Sequence, residues 1–228
     1  MQSLNALVLA GKVLYLGVSD TPAWWVSKAN QYARDHGLRQ FSVYQGLWNA
    51  SVRDFERDIM PMCIDEGMGF CPWGALGRGN FKTEEQRKVT EGRQLGPPSQ
   101  KEVAVSKVLE GIAKRKDTAI TSVALAYIMQ KTPYVFPIVG GRKIEHLKGN
   151  IEALKLELSE EDIDEIEAAV PFDLGFPQSF LGGPKGLHDP SNLWLLNTAG
   201  TFDYVENKRA IKPTDRVYNA QYMGGGDE

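Results

Sequence analysis

Short apolar runs alternate with amphipathic segments along the first 170 residues of the chain. Four of these runs are rich in β-forming residues and are bounded by turn-forming residues, a pattern that predicts short buried strands. Between them, apolar residues recur at the spacing of one helical face, which predicts helices. The predicted strands cover residues 13–18, 41–45, 68–72 and 134–138, and the predicted helices cover residues 23–37, 52–66, 99–116, a segment around 121–128, 142–154 and 159–170.

Strands that alternate with helices in this way form parallel βα units. Four such units make half of a (β/α)8 TIM barrel, or a small doubly wound sheet. A doubly wound dinucleotide fold carries G-x-G-x-x-G directly after its first strand, whereas residues 19–24 here are SDTPAW. The dinucleotide version of the second alternative is therefore excluded, and the chain is predicted to be an α/β protein with about four parallel strands.

Two segments interrupt the alternation. Residues 77–98 are polar and bounded by glycine and proline, and a loop of this length is more often functional or mobile than structural. From Pro171 onward the chain is rich in Pro, Gly, Asn and Asp, with scattered aromatic residues. We therefore expect a partial barrel over residues 1–170 and an irregular tail over residues 171–228.

The segment at residues 134–154 combines the fourth strand, a diglycine turn and an amphipathic helix. Gly140 and Gly141 let the backbone approach a ligand closely, and a helix start offers N–H groups without intrahelical partners. Arg142 and Lys143 add two cations beside those donors. Such a corner suits a phosphate, although the same sequence is also compatible with an ordinary turn that carries surface charges.

Composition and charge narrow the class of protein. The net charge of −3 and pI near 5.7 argue against nucleic acid or an anionic membrane as the main partner. The two cysteines form neither a disulfide framework nor a metal-ligand pattern, which favours a reducing compartment. No segment has the roughly 18 uninterrupted apolar residues of a membrane span, and the first residues lack the features of a signal peptide. We expect a cytoplasmic protein without a metal site.

Functional groups of a βα barrel lie just beyond the carboxyl ends of its strands. At these positions the chain carries a hydroxyl and amides, then a large aromatic ring, then the phosphate corner. A ligand with a carboxamide, a flat ring and a phosphate is a nicotinamide nucleotide. The residues concerned are Ser19, Asp20, Gln45, Asn49, Trp73, Gly140, Gly141 and Arg142.

The motifs GVSD, YQGLWN, PWGALG and PIVGGRKIEHLKGNIEAL occur in the order and spacing found in the aldo-keto reductases. With GKVLYLGVSDTPAW, RDFERDI and GGRKIEHLK, the chain resembles the fungal aryl-alcohol dehydrogenase branch of that family, which includes norsolorinic-acid-reductase-like proteins. The resemblance covers about residues 1–183. It implies the C-terminal half of a TIM barrel, NADP(H) as cofactor, and interconversion of aromatic aldehydes or ketones with alcohols as the reaction.

The resemblance also implies roles for residues at the nicotinamide end. Ser19 and Gln45 match the residues that bind the carboxamide, and Trp73 matches the aromatic residue that stacks on the nicotinamide. Asp20 stands where many members have Asn. The loop that passes the pyrophosphate is matched by Gly74, Leu76 and Gly79.

At the adenosine end, the resemblance implies that Arg142 and Lys143 meet the 2′-phosphate, which favours NADPH over NADH. His146 and Asn150 match positions that touch the adenosine. Gly149 stands where many relatives have Glu, so one adenine contact is expected to be lost.

The family's catalytic Asp, Tyr, Lys and His belong to segments that would precede Met1, so we expect a truncated chain with no catalytic residues of its own and little turnover. His36, His146 and His188 are out of place, and Tyr15 and Tyr44 lie within predicted strands. An open sheet also exposes two edges, which favours self-association. The alternative function is a non-catalytic NADP(H)-binding or interaction module, the product of a degenerate gene.

Overall fold

A parallel β-sheet forms the centre of the fold. The structure, a computed structural model, describes residues 1–88, 96–183, 192–204 and 208–213. Within them, the sheet has three strands in the order β1 (Leu16–Ser19), β2 (Phe41–Gln45) and β3 (Gly69–Phe70). Gly17 pairs with Val43, and Val43 in turn with Gly69. The predicted α/β class and parallel direction are thus confirmed, and β1 lies three residues further along than predicted.

The predicted fourth strand is wrong in detail. Residues 134–139, here called the edge segment, run beside β3 but form only one isolated bridge, between Phe70 and Val135. Phe136 N–H donates to the Phe70 carbonyl at 2.7 Å, and Ile138 N–H donates to that of Pro72 at 2.8 Å. Two prolines remove backbone donors, and Tyr134 has a φ of 61°, so a regular ladder is interrupted. The four-stranded half barrel is therefore not what the described residues form.

The helices largely follow the predicted pattern. The described helices are α1 (Gln2–Leu9), α2 (Ala23–Asp35), α3 (Ile59–Asp65), α4 (Glu84–Lys88), α5 (Gln100–Arg115), α6 (Ile120–Lys131), α7 (Ile144–Glu152), α8 (Glu160–Ala168), α9 (Gln178–Leu181) and α10 (Trp194–Ala199), with 3₁₀ turns at Asp54–Glu56, Gly77–Gly79 and Ala153–Lys155.

Capping explains where two of the helices begin. Ser99 and Glu102 form a capping box at α5, and Ser159 and Asp162 form another at α8. Asp162 was expected on a solvated face, but it is buried and meets Lys116 at 2.8 Å. Its negative charge is therefore paired within the fold.

Two elements were missed or divided by the prediction. Helix α1 was not predicted, and the segment at residues 52–66 is a 3₁₀ turn followed by α3 rather than one helix. The interrupted segment at residues 77–98 contains a 3₁₀ turn and α4, while residues 89–95 lie outside the described residues. In the tail, α9 and α10 are short, in keeping with its irregular composition.

Only one face of the sheet is covered by helices. On that face Tyr44, Phe55 and Phe70 are buried and meet edge to face, with ring centroids 5.6 and 5.9 Å apart. Trp48 stacks on Phe55 at 5.4 Å. On the opposite face Val43 lies between glycines of the neighbouring strands, and Phe136 beside it is 59% exposed. The core therefore lies between the sheet and the helices, and the other face is open.

Four charged side chains meet on the helix side of this core. Arg53 donates to Glu56 at 2.8 and 2.9 Å and to Glu167 at 2.9 Å. Lys131 contacts both Glu167 and, at 3.4 Å, Glu56. We call Arg53, Glu56, Lys131 and Glu167 the buried charge cluster. It balances two cations with two carboxylates and joins the turn after β2 to α6 and α8.

Neighbouring polar groups complete the hydrogen bonding of the cluster. The Trp48 indole N–H donates to Glu56 at 3.0 Å, and the Tyr127 hydroxyl donates to Glu167 at 3.3 Å. Burial raises the pKa of Glu56, but hydrogen bonds from Arg53 and the charge of Lys131 outweigh it, so this pKa lies below its usual value. Burial holds the pKa of Tyr127 well above its usual value. The carboxylate therefore stays ionised and the phenol stays neutral.

Replacing Arg53 with Met should destabilise the protein by about 3 kcal/mol or more, because Glu56 would remain buried with one partner fewer. Urea unfolding followed by circular dichroism measures the free energy. Lys155→Met is the matched control, since Lys155 forms an exposed pair with Glu152 at 3.0 Å and should cost less than about 1 kcal/mol. Equal losses in the two variants would contradict a structural role for the cluster.

Candidate functional site

The turn after β1 is held in one conformation by its own side chains. Asp20 N–H donates to the Gln45 carbonyl at 3.0 Å and so continues the pairing of β1 with β2 beyond Ser19. Asp20 has a φ of 48°, a left-handed conformation that Asp tolerates better than most residues. The Ser19 hydroxyl donates to Asp20 Oδ2 at 3.1 Å. The carboxylate is thereby oriented at the carboxyl end of the sheet.

A buried tyrosine fixes the same turn from below. The Tyr44 hydroxyl donates to the Thr21 carbonyl at 2.6 Å and accepts from the Thr21 N–H at 2.9 Å. Burial raises the pKa of Tyr44. Sequence reasoning missed this contact, because a tyrosine inside a strand gives no sign of its distant partner.

Trp73 lies beside this turn, on the far side of β2. Its N–H donates to the Gly46 carbonyl at 2.9 Å, and its carbonyl accepts from the Trp48 N–H at 3.3 Å. The half-buried indole donates its Nε1–H to Asp20 Oδ1 at 3.0 Å. The ring is therefore held by backbone bonds on one side and by a charge-assisted hydrogen bond on the other.

The loop after Trp73 is built around glycines. Gly74 has a φ of 70°, and a Cβ there would lie 2.8 Å from the Leu47 Cδ1 atom. The buried Asn49 donates its amide to the Gly74 carbonyl at 2.9 Å, which fixes the start of the loop. Leu76 and Gly79 follow in the same tight turn, where Gly79 N–H donates to the Leu76 carbonyl at 3.1 Å.

The phosphate corner lies at the neighbouring edge of the sheet. Ile138 pairs with the residue before Trp73, and Gly140 and Gly141 follow two and three residues later. A Cβ on Gly141 would lie 2.6 Å from the Cβ of His146, so this glycine is required by a close approach. Arg142 N–H donates to His146 Nδ1 at 3.4 Å. The histidine ring thus faces the turn that precedes α7.

The start of α7 differs from the starts of α5 and α8. Its N-cap residue is Lys143, and no side chain caps the helix. Arg142 and Lys143 are exposed there, and Asn150 is half-buried near the end of the helix. The corner therefore combines helix-end N–H groups with two cations, the arrangement that suits a phosphate.

The structure brings together the residues predicted for the nicotinamide end. Ser19 and Gln45 are direct partners in the β1–β2 register, both are exposed, and Trp73 is tied to Asp20 beside them. A hydroxyl, a carboxamide and an oriented indole are groups that suit a nicotinamide. Gly74 and Gly141 keep the backbone free of side chains where a ligand would approach. These residues therefore fit a nicotinamide nucleotide.

Other arrangements in the described residues do not form a second site of this kind. Clefts of about 470 and 330 Å³ lie elsewhere, the larger beside Glu110 and Lys114, the smaller beside Arg57 and Arg78. Among the described ranges there is no group of His, Cys, Asp and Glu that could hold a metal ion. No helix in this part of the chain is long and apolar enough to cross a membrane.

The residues considered as catalytic substitutes are not assembled at Trp73. His36 directs Nδ1 to the Tyr32 carbonyl on α2, at 2.8 Å. Tyr15 is 80% exposed and precedes β1, and His188 lies outside the described residues. A tyrosine, a lysine and a carboxylate do meet at Tyr127, but burial among helices keeps that group away from the sheet end.

Comparison with known proteins agrees with this geometry. Residues 1–171 match the Aldo/keto reductase family. The chain is 60% identical over 225 residues to norsolorinic acid reductase B of Dothistroma septosporum, an alignment that covers 94% of this chain and 57% of that protein. It is 54% identical over 215 residues to an aryl-alcohol dehydrogenase of Pestalotiopsis microspora, covering 93% of this chain and 56% of that protein.

A solved structure shares the fold. The crystal structure of a thermostable aldo-keto reductase in complex with the inhibitor epalrestat aligns with a TM-score of 0.58 at 24% identity. The alignment covers 74% of this chain and 53% of that one. The chain thus spans less than three fifths of the curated relatives named above. By its sequence and its fold, it belongs to the aldo/keto reductase family.

Proposed function

We propose that the protein is an NADP(H)-dependent oxidoreductase that interconverts aromatic aldehydes or ketones with the corresponding alcohols. The observation that carries the proposal is the Trp73 ring, oriented by Asp20 beside Ser19 and Gln45. Relatives named as norsolorinic acid reductase and aryl-alcohol dehydrogenase support the choice of an aromatic carbonyl or alcohol as the small-molecule substrate.

Each group in the proposed site has a distinct task. Ser19 and Gln45 bind the carboxamide of the nicotinamide, and Trp73 stacks on one face of its ring. Asp20 acts through Trp73 by fixing the plane of the indole. When bound, NADP(H) supplies or accepts the hydride.

The remaining proposed contacts run along the nucleotide. Gly74, Leu76 and Gly79 line the passage for the pyrophosphate. Arg142 and Lys143, with Gly140 and Gly141 before them, bind the adenosine 2′-phosphate, while His146 and Asn150 lie towards the adenosine.

We further propose that the βα units of residues 1–170 constitute the C-terminal half of a TIM barrel, followed by the tail. The free thiols of Cys63 and Cys71 are consistent with a reducing compartment, which supports a cytoplasmic location. The alternative is an NADP(H)-binding module without catalysis. It is favoured by the lack of an available proton donor at Trp73, since the Tyr44 hydroxyl is already bonded to Thr21.

The 228-residue chain should bind NADPH but reduce 3,4-dimethoxybenzaldehyde slowly or not at all. Loss of a general acid typically costs about 10²–10⁴ in rate. Calorimetry measures binding, and the decrease of NADPH absorbance measures turnover. Binding without turnover supports the module, slow turnover supports an impaired reductase, and ordinary enzyme rates would contradict the predicted loss of catalytic residues. Absence of NADPH binding would reject both functions.

Asp20 should affect NADPH binding through Trp73. Asp20→Ala removes the acceptor of the indole N–H and should weaken binding about fivefold or more, as expected for one charge-assisted hydrogen bond. Asp20→Asn keeps an acceptor oxygen and tolerates the left-handed backbone, so it should bind within about twofold of the parent chain. In the Trp73→Ala background, Asp20→Ala should have no further effect on binding. An additional loss there would show that Asp20 acts by another route.

The phosphate corner should distinguish NADPH from NADH. Arg142→Ala combined with Lys143→Ala should weaken NADPH binding about tenfold or more, because two charge-assisted contacts to the 2′-phosphate are lost. NADH binding should change little. Lys148→Ala is the matched control, since it removes another exposed cation from the same helix. Equal losses for both nucleotides would place the 2′-phosphate elsewhere.

A further inference from the structure

The open face of the sheet is bordered by two apolar surfaces, one at each edge. The first, here called the β1-side surface, precedes and begins β1 and consists of Leu7, Leu9, Leu14 and Tyr15. The second, the α7-side surface, follows the edge segment into α7 and consists of Tyr134, Phe136, Ile138, Ile144, Leu147 and Ile151. All ten side chains are exposed. Both surfaces adjoin backbone that could pair further.

The two backbone edges are complementary in direction. β1 is the outermost strand at one side of the sheet, and its far edge has no paired strand in the described residues. At the other side, Phe136 and Ile138 direct their N–H groups to β3, so the alternate residues Val135 and Pro137 face outward. Pro137 has no N–H to donate, so apolar contact must supply much of any stabilisation there.

We propose that the 228-residue chain forms a twofold dimer in which the β1-side surface of each copy packs against the α7-side surface of the other. A twofold axis along the strands keeps all strands parallel, as pairing of these edges requires. The strands and edge segments of two copies together supply eight units, the number at which a closed barrel is just filled by side chains. Both open edges are thereby removed.

The interior of such a dimer has matching large and small positions. On the open face, Gly17 and Gly69 have no side chains and flank Val43, whereas Phe136 projects a large exposed ring beside Gly69. Small barrels are commonly filled by this mixture of large and small residues. Twofold symmetry places the Phe136 ring of each copy towards the glycine-containing side of the other.

The exposed area is sufficient for a stable dimer. Large apolar side chains expose about 100 Å² each when half covered, so the ten side chains offer on the order of 1,000 Å² per copy. A specific interface of standard size buries about 800 Å² per partner. A monomeric soluble protein rarely exposes so large an apolar area. These arguments favour a second copy as the occupant of both surfaces.

Sedimentation velocity on the full 228-residue chain tests the proposal. The parent chain should sediment as a dimer, with twice the monomer mass of 25.3 kDa. Tyr15→Asp on one surface and Phe136→Asp on the other should each weaken dimerisation about tenfold or more, since a carboxylate would be buried without a partner. Val103→Asp, at a 42% exposed residue on α5, is the matched control and should dimerise normally.

Mixing the two variants identifies which edges meet. In the proposed dimer, each homodimer of a variant has two damaged contacts, whereas the mixed dimer has one intact contact, so mixing should partly restore association. A dimer built from one edge alone would be lost in only one variant. A monomeric parent chain, open-ended polymers, or the lack of restoration on mixing would overturn the proposal.

Hydrogen exchange on the parent chain provides a test that requires no variant. Protection of amides in β1 and in the edge segment should increase with protein concentration, while protection in α5 should stay constant. Because both edges lie on the surface of a monomer, concentration-independent exchange at them would also overturn the proposal.

Discussion

The buried charge cluster is the constraint on which the rest of the structure depends. Four charges have been removed from water, and each is tolerable only while its partners remain within hydrogen-bond distance. Arg53 comes from the turn after β2, Lys131 from α6 and Glu167 from α8, so three elements distant in the chain must keep one geometry. Apolar contacts alone would allow these elements to shift, whereas directional ionic hydrogen bonds do not.

A continuous series of contacts carries this rigidity to the candidate site. Glu56 accepts from the Trp48 indole, Trp48 stacks on Phe55, and Phe55 meets the edge of Tyr44. The Tyr44 hydroxyl then holds the turn that contains Asp20, whose carboxylate orients the next tryptophan along the sheet. The site is thus positioned by the core beneath it, although its functional side chains are exposed.

Local patterns were sufficient for much of this architecture. Strand β2 and the capped starts of α5 and α8 follow from β-propensity and from Ser99 and Ser159, each three residues before an acidic partner. The pairing of Asp20 with the indole could not be predicted, because 53 residues separate the partners. Prediction of the fourth strand failed at Tyr134, where a left-handed residue between prolines outweighs the apolar pattern.

Helix α7 shows why an apolar stripe does not by itself define a core. Ile144, Leu147 and Ile151 have the spacing of a buried face, yet they are between 50% and 69% exposed. The moment of a helix states which side seeks an apolar neighbour, but it does not state whether that neighbour belongs to the same chain. Glycines opposite Phe136 and an unpaired parallel edge at β1 describe the shape of the missing neighbour. That shape is a second set of βα units, and the chain itself is one such set.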